Sequence, residues 1–164
     1  MFNINPDGLR KRIRHILLVG AVGAGLLTLN ACTADVPPFV GVDITGANYA
    51  KDFDLTDQTG QRRTLADFRG KAVVIFFGYT QCPDVCPTSM TEMAEAKALL
   101  GADGERFQGL FLSVDPERDT PEVMAAYVGN FDPTFKALYA DPGQLKKVAQ
   151  DFKIYYKRVE GPTP

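Results

Sequence analysis

With 164 residues, 45% of them hydrophobic and 23% charged, the chain has the composition and length of one domain around one core, which excludes a multidomain machine. Lys and Arg total 18 against 20 Asp and Glu, a formal net charge of −2, so no basic surplus points to nucleic acid.

The charge is uneven along the chain. Residues 1–31 carry Arg10, Lys11, Arg12 and Arg14 against Asp7 alone, a local +3 that leaves −5 on the remainder of a chain whose total is −2. So acidic a body is not drawn to anionic partners. Residues 16–29 form an apolar stretch as long as a signal-peptide core and short of the ~20 residues that span a bilayer. The stretch ends in Leu29-Asn30-Ala31-Cys32, which resembles the bacterial lipobox, where a signal peptidase cuts before the Cys and its sulfur carries a diacylglyceryl group. The expectation is a lipoprotein-type signal peptide over residues 1–31 and a membrane anchor through Cys32; the alternative is an uncleaved anchor continuing past Cys32. Both place the body on the extracytoplasmic, bacterial periplasmic side of a membrane. Residues 32–50, with Pro37, Pro38, Gly41 and Gly46, keep no period and read as a tether, so the folded domain is expected over residues 51–164.

Phe53-x-Leu55-x-Asp57-x-x-Gly60 alternates and then turns, as in a hairpin whose second arm holds Gln61 to Thr64. Residues 72–77, Ala-Val-Val-Ile-Phe-Phe, are apolar without alternation and predict the central strand of the sheet, covered on both faces. Met90, Met93, Ala96 and Leu100 share a helix face ending near Gly101, and that spacing makes the two methionines core residues rather than ligands. Residues 110–114 are the next buried strand. Thr120 before Pro121 caps a helix with Val123, Met124, Tyr127, Val128 and Phe131 behind it, and Asp141 before Pro142 repeats the signal for a helix with Leu145, Val148, Ala149 and Phe152 on one face. A short strand is predicted at residues 154–156, with Tyr155 and Tyr156 as packing or edge-strand residues. The alternating order predicts an α/β fold with a mainly parallel sheet.

Chemistry is expected where strand 72–77 ends, because open α/β sheets bind ligands at the carboxyl ends of their strands. There the chain reads Gly78-Tyr79-Thr80-Gln81-Cys82-Pro83-Asp84-Val85-Cys86-Pro87. Pro87 predicts that the regular helix begins at Pro87 with Cys86 as its cap and Cys82 in the loop above. Helix-end N–H groups favour thiolates, Asp84 opposes them, and Cys86 is expected to be modestly the more thiolate-like. A structural disulfide across so small a loop would stabilise little, and zinc lacks its four ligands. Copper suits soft thiolates in a low-coordinate site, and a dithiol–disulfide redox pair suits the exported compartment. Both stay open on spacing alone.

GYTQCPDVCP after an apolar strand, followed by SVDPERDTPE at residues 113–122, is similar to the Sco/SenC family of thioredoxin-like copper proteins, with the likeness running from the residue 53–57 hairpin to about Tyr156. The resemblance implies a thioredoxin-like fold with an N-terminal β-hairpin, and a membrane-tethered copper chaperone serving assembly of the CuA centre of cytochrome c oxidase. It would deliver copper, reduce that centre's cysteines, or both, with the CuA subunit or another copper-receiving protein as partner. Cys82 and Cys86 take the positions of the family's two thiolate ligands, and would be the redox pair of an oxidoreductase. The family's third ligand is a histidine on a later hairpin; the sole histidine here, His15, lies in the signal segment. Gly161-Pro162-Thr163-Pro164 is loop composition, so the domain is expected to be incomplete at its C-terminus, without the closing strands and final helix. Asp115 lies at the same sheet end as the cysteines and is a candidate for orienting the metal site from behind; Asp119 reads as a turn residue, and Tyr79 and Thr80 as pocket walls. The competing function is a thiol-disulfide oxidoreductase acting on exported proteins without a dedicated copper role. A peroxidase variant lacks its PxxxTxxC arrangement at Gly78 to Cys82.

Overall fold

The computed structural model describes residues 41–159; the expected signal peptide, His15, Cys32 and the terminal Gly161-Pro162-Thr163-Pro164 lie outside them. A compact unit begins at Gly46. It opens with the expected hairpin, β1 (Leu55–Asp57) against β2 (Arg62–Arg63), antiparallel with Leu55 opposite Arg63. Asp57 holds the turn. Its fully buried carboxylate accepts from the Thr59 amide and hydroxyl, the Gln61 amide and Arg63 Nε, and Gly60 supplies the left-handed position at φ +82°. Burial alone would raise the Asp57 pKa; those donors outweigh it and hold it at about 2.

Three parallel strands follow, β3 (Ala72–Gly78), β4 (Phe107–Ser113) and β5 (Lys136–Tyr139), with α1 (Val85–Leu99), α2 (Pro121–Gly129) and α3 (Pro142–Asp151) as their crossovers and cover. The sheet order is β2-β1-β5-β4-β3, mixed because β1 runs antiparallel to β5. Alternation along β4 sends Leu110 and Leu112 to one face, with Phe53, Leu55, Leu138, Leu145 and Val148, and Phe111 to the other, with Met90, Met124, Val128 and Ala137. Met90 is fully buried and Met93 packs beside it, in the core as their spacing predicts.

Local signals placed two helices. Thr120 Oγ1 accepts from the Val123 amide ahead of Pro121, and Asp141 forms a capping box with Gln144 ahead of Pro142.

Three expectations are corrected. β3 is an edge strand of the sheet among the described residues, not the central one, and Val74 is 38% exposed; β4 is the strand buried along nearly its whole length. An apolar run reports covered faces, here Val73, Ile75 and Phe77 on one and Phe76 on the other, and says nothing of lateral neighbours. The first helix starts at Val85 with Asp84 as its N-cap, so Cys86 lies inside the first turn. Pro87 is tolerated there because the first helical amides have no intrahelical acceptor to lose. Residues 154–156 form no strand. Lys153 takes φ +58°, the Ile154 amide turns back to the Ala149 carbonyl at 2.8 Å, and Tyr155 is left 85% exposed.

Candidate functional site

β3 and β4 end level with one another, Gly78 opposite Ser113, and the Val114 amide donating to the Gly78 carbonyl (2.8 Å) carries the pairing one residue further. The chain leaving β3 turns at once, with the Cys82 amide donating to the Tyr79 carbonyl (3.2 Å), and enters α1 at Val85. That turn sets Cys82, half-buried, over the first turn of α1, where the Cys86 amide donates to Cys82 Sγ at 3.3 Å. Both cysteines are free thiols and face each other.

Their environments differ. Burial resists ionisation of Cys82, but the polar groups around its sulfur, the Cys86 thiol and amide first, then the Asp84 amide and the Tyr79 hydroxyl, together pull its pKa below the usual thiol value. Cys86, 4% exposed, is pushed up to about 11, first by burial, then by donating its proton to Cys82 and by the negative charges of Cys82 and Asp119. The thiolate-like member is therefore Cys82, the reverse of the sequence expectation. The amide ends of α1 point at the loop sulfur, while Cys86 is itself part of the helix and packs against the sheet.

Packing also fixes the Cys86 sulfur. A methyl group at Gly78 would stand 2.7 Å from Phe76 Cε1, 3.0 Å from Phe111 Cε2 and 3.1 Å from Cys86 Sγ, so glycine is required by space.

The loop between the cysteines and β3 is tied down by Asp119. This carboxylate, fully buried, accepts from the Thr80 hydroxyl (2.6 Å), the Thr80 amide (3.1 Å) and the Ser113 hydroxyl (2.6 Å). It bridges the chain after β3 to the end of β4 and places its charge behind Cys86. The turn tendency of Asp119 concealed this. The available signal was its position six residues beyond Ser113, a hydroxyl able to donate at the end of a buried strand; Thr80, 39 residues away, joins it only in the fold. Asp115 reaches the motif through an intermediary. Its carboxylate pairs with Arg118, whose guanidinium also donates to Gln81 Oε1 (3.0 Å) and lies 5.9 Å from the Tyr79 ring centroid. Tyr79 thus walls the loop beside Cys82, and its hydroxyl helps to lower the Cys82 pKa.

Two soft sulfurs, one reachable from solvent and one seated, can hold a soft cation such as Cu(I) or exchange electrons as a dithiol. Among the described residues no group of three or more His, Cys, Asp or Glu is arranged to hold a metal, so a third donor is not assembled there.

The family model described as SCO1/SenC matches residues 42–163. The chain is 38% identical over 147 residues to the SCO2-like protein of Rickettsia felis, covering 88% of this chain and 71% of that one. It is also similar to the structure of Bradyrhizobium japonicum ScoI with copper bound, at 45% identity and TM-score 0.64 over 68% of this chain and 71% of that one. Arabidopsis thaliana ScoI with copper bound matches at 34% identity and TM-score 0.63, over 67% and 69%. The α/β fold with its mixed, helix-flanked sheet is the thioredoxin-like fold of these relatives.

Proposed function

The chain belongs to the SCO1/SenC family of thioredoxin-like copper chaperones, and from that membership we propose that it is a membrane-tethered, extracytoplasmic copper carrier whose cargo is held by Cys82 and Cys86. The observation that carries the proposal is the facing pair of sulfurs at the shared carboxyl end of β3 and β4, with Cys82 half-buried and its pKa drawn below the usual thiol value. Two thiolates give Cu(I) the soft, low-coordinate donor set it favours, and a hard carboxylate such as Asp119 stays behind the sulfurs. The recipient is the CuA subunit of cytochrome c oxidase or another copper-receiving protein, reached from a membrane anchor at Cys32. The copper-bound relatives support the cargo.

The expected result is one Cu(I) per chain, lost in Cys82→Ser and in Cys86→Ser proteins and measured by competition with a chromophoric chelator. Stoichiometric, tight Cu(I) retained by the double variant would defeat the reading.

The asymmetry of the pair favours a second activity, reduction of a partner disulfide. The Cys82 thiolate attacks one sulfur of that disulfide, forming a mixed disulfide and releasing the partner's first thiolate. The Cys86 thiol gives up its proton to solvent and attacks Cys82, releasing the second; the partner gains two electrons and this chain becomes the disulfide. A Cys86→Ser protein should trap the mixed disulfide through Cys82, whereas Cys82→Ser should not. Copper binding with no adduct from Cys86→Ser would leave the carrier role alone.

A further inference from the structure

Two neighbouring residues of one loop hold two neighbouring residues of another. Asp119 accepts from the Thr80 amide and hydroxyl, and Arg118 Nη1 donates to Gln81 Oε1 at 3.0 Å, so residues 119 and 118 grip residues 80 and 81 across 39 and 37 positions of chain. The next residue is Cys82. The two grips differ in depth. Asp119 is fully buried, and its loss would leave the Thr80 and Ser113 hydroxyls without their shared acceptor. Arg118 keeps 47% of its side chain exposed, where an ion pair adds little to stability.

The aim of Arg118 is nevertheless fixed from below. The Asp115 carboxylate accepts from Arg118 Nε, and the Asp115 carbonyl accepts the Arg118 and Asp119 amides at 3.2 and 3.0 Å. The Asp115 amide in turn donates to Ser113 Oγ at 3.0 Å, at the end of β4. The guanidinium thus spans from a turn anchored on β4 to the residue before Cys82, and its planar fork makes that span directional. A side chain so restrained and worth so little to folding has its work in the loop it holds. Resting on the copper-carrying reading, we propose that Arg118 is a positioning residue for Cys82: through Gln81 it holds the loop sulfur over the first turn of α1, facing Cys86, so that the two-sulfur seat is formed before Cu(I) arrives.

The test uses the full-length protein with Arg118→Met, which keeps the apolar stem and deletes the fork, and Gln81→Leu, which deletes the acceptor. Cu(I) affinity, by competition with bathocuproine disulfonate, is expected to fall about five- to tenfold in each while the stoichiometry stays at one, and no further in the double variant, because both remove one contact. Arg118→Lys keeps the charge without the fork and should fall nearly as far. Arg158→Gln, which takes an exposed cation from Glu117 of the same loop, should bind as the parent does. In reduced, metal-free Arg118→Met, hydrogen exchange at the Cys82 amide, which donates to the Tyr79 carbonyl, should quicken about tenfold while the β4 amides and Tm hold. Unchanged affinity in Arg118→Met, additive losses in the double variant, or full affinity in Arg118→Lys would each overturn the inference and leave the copper reading standing. Exchange that quickens throughout the sheet with a lower Tm would mark Arg118 as merely structural and overturn it as well. A parent that takes up no Cu(I) would defeat the reading beneath, a result separate from the Cys82 exchange, which is read without metal.

Discussion

Cys82 and Cys86 lie four residues apart in one loop–helix junction and yet ionise very differently, and the difference has a pH signature. In the unfolded chain the Cys86 thiol releases its proton near 9; in the folded protein burial and the neighbouring charges hold that proton until about 11. Folding therefore favours the protonated form. This contribution is whole below pH 9 and is lost as pH climbs through 11, and two pKa units correspond to on the order of 3 kcal/mol. Cys82 works in the opposite direction, because its lowered value adds stability at high pH that disappears as pH falls through its folded pKa. Reduced protein should thus lose Tm between pH 9 and 11, and Cys86→Ser, whose hydroxyl does not titrate there, should lose less. Parallel Tm–pH curves for the two proteins would contradict the assigned burial. The motif itself was legible in the sequence, since no other cysteine falls within the folded body. Which sulfur carries the charge was not, because that depends on how deeply Cys86 packs against β3 and β4. The role of Asp119 was hidden for a related reason: a carboxylate that caps a turn and one that locks two strand ends together are spelled alike.

At the scale of elements, the signals that succeeded were local ones. Thr120-Pro121 and Asp141-Pro142 write their helix starts in adjacent residues, and the hairpin carries its own turn chemistry in Asp57 and Gly60. The rank of β3 in the sheet failed because lateral pairing is decided by segments far away in sequence. β3 matters instead for how it ends. Gly78→Ala would drive a methyl into Phe76, Phe111 and Cys86 Sγ, at 2.7 to 3.1 Å. Overpacking of that kind costs about 1–3 kcal/mol. The expected readout is a lower urea midpoint together with faster alkylation of Cys86 as its sulfur is pushed out. Gly129→Ala, at the last residue of α2 with nothing within 4 Å of the new methyl, is the opposite control and should stabilise by about 0.5–1 kcal/mol. If both substitutions shift the midpoint alike, the crowding at Gly78 does not constrain the site.

For the whole molecule, the proposed carrier role raises the question of what would hold the chain at a membrane. Among the described residues no helix is long and apolar enough to cross one. Electrostatics cannot substitute, because everything after residue 31 carries a net −5 and anionic headgroups repel it. On the proposed reading the attachment comes from residues 1–32, either as a retained apolar segment or as lipid on Cys32. A diacylglyceryl group supplies two chains, and two are what stable anchoring takes where one gives only marginal binding. Expressed in a bacterium with lipoprotein processing, the mature protein should therefore lack residues 1–31, carry acyl mass at its N-terminal Cys32 and incorporate labelled fatty acid. Cys32→Ser should abolish both the label and the added mass while leaving Cu(I) binding by the purified full-length protein unchanged, since Cys32 is not one of the two facing sulfurs. An intact mass that retains residues 1–31 without acyl groups would replace the lipid anchor with a peptide one. The tether would then begin inside the membrane segment, and residues 33–50 would have to supply all the reach between the bilayer and the sulfur pair.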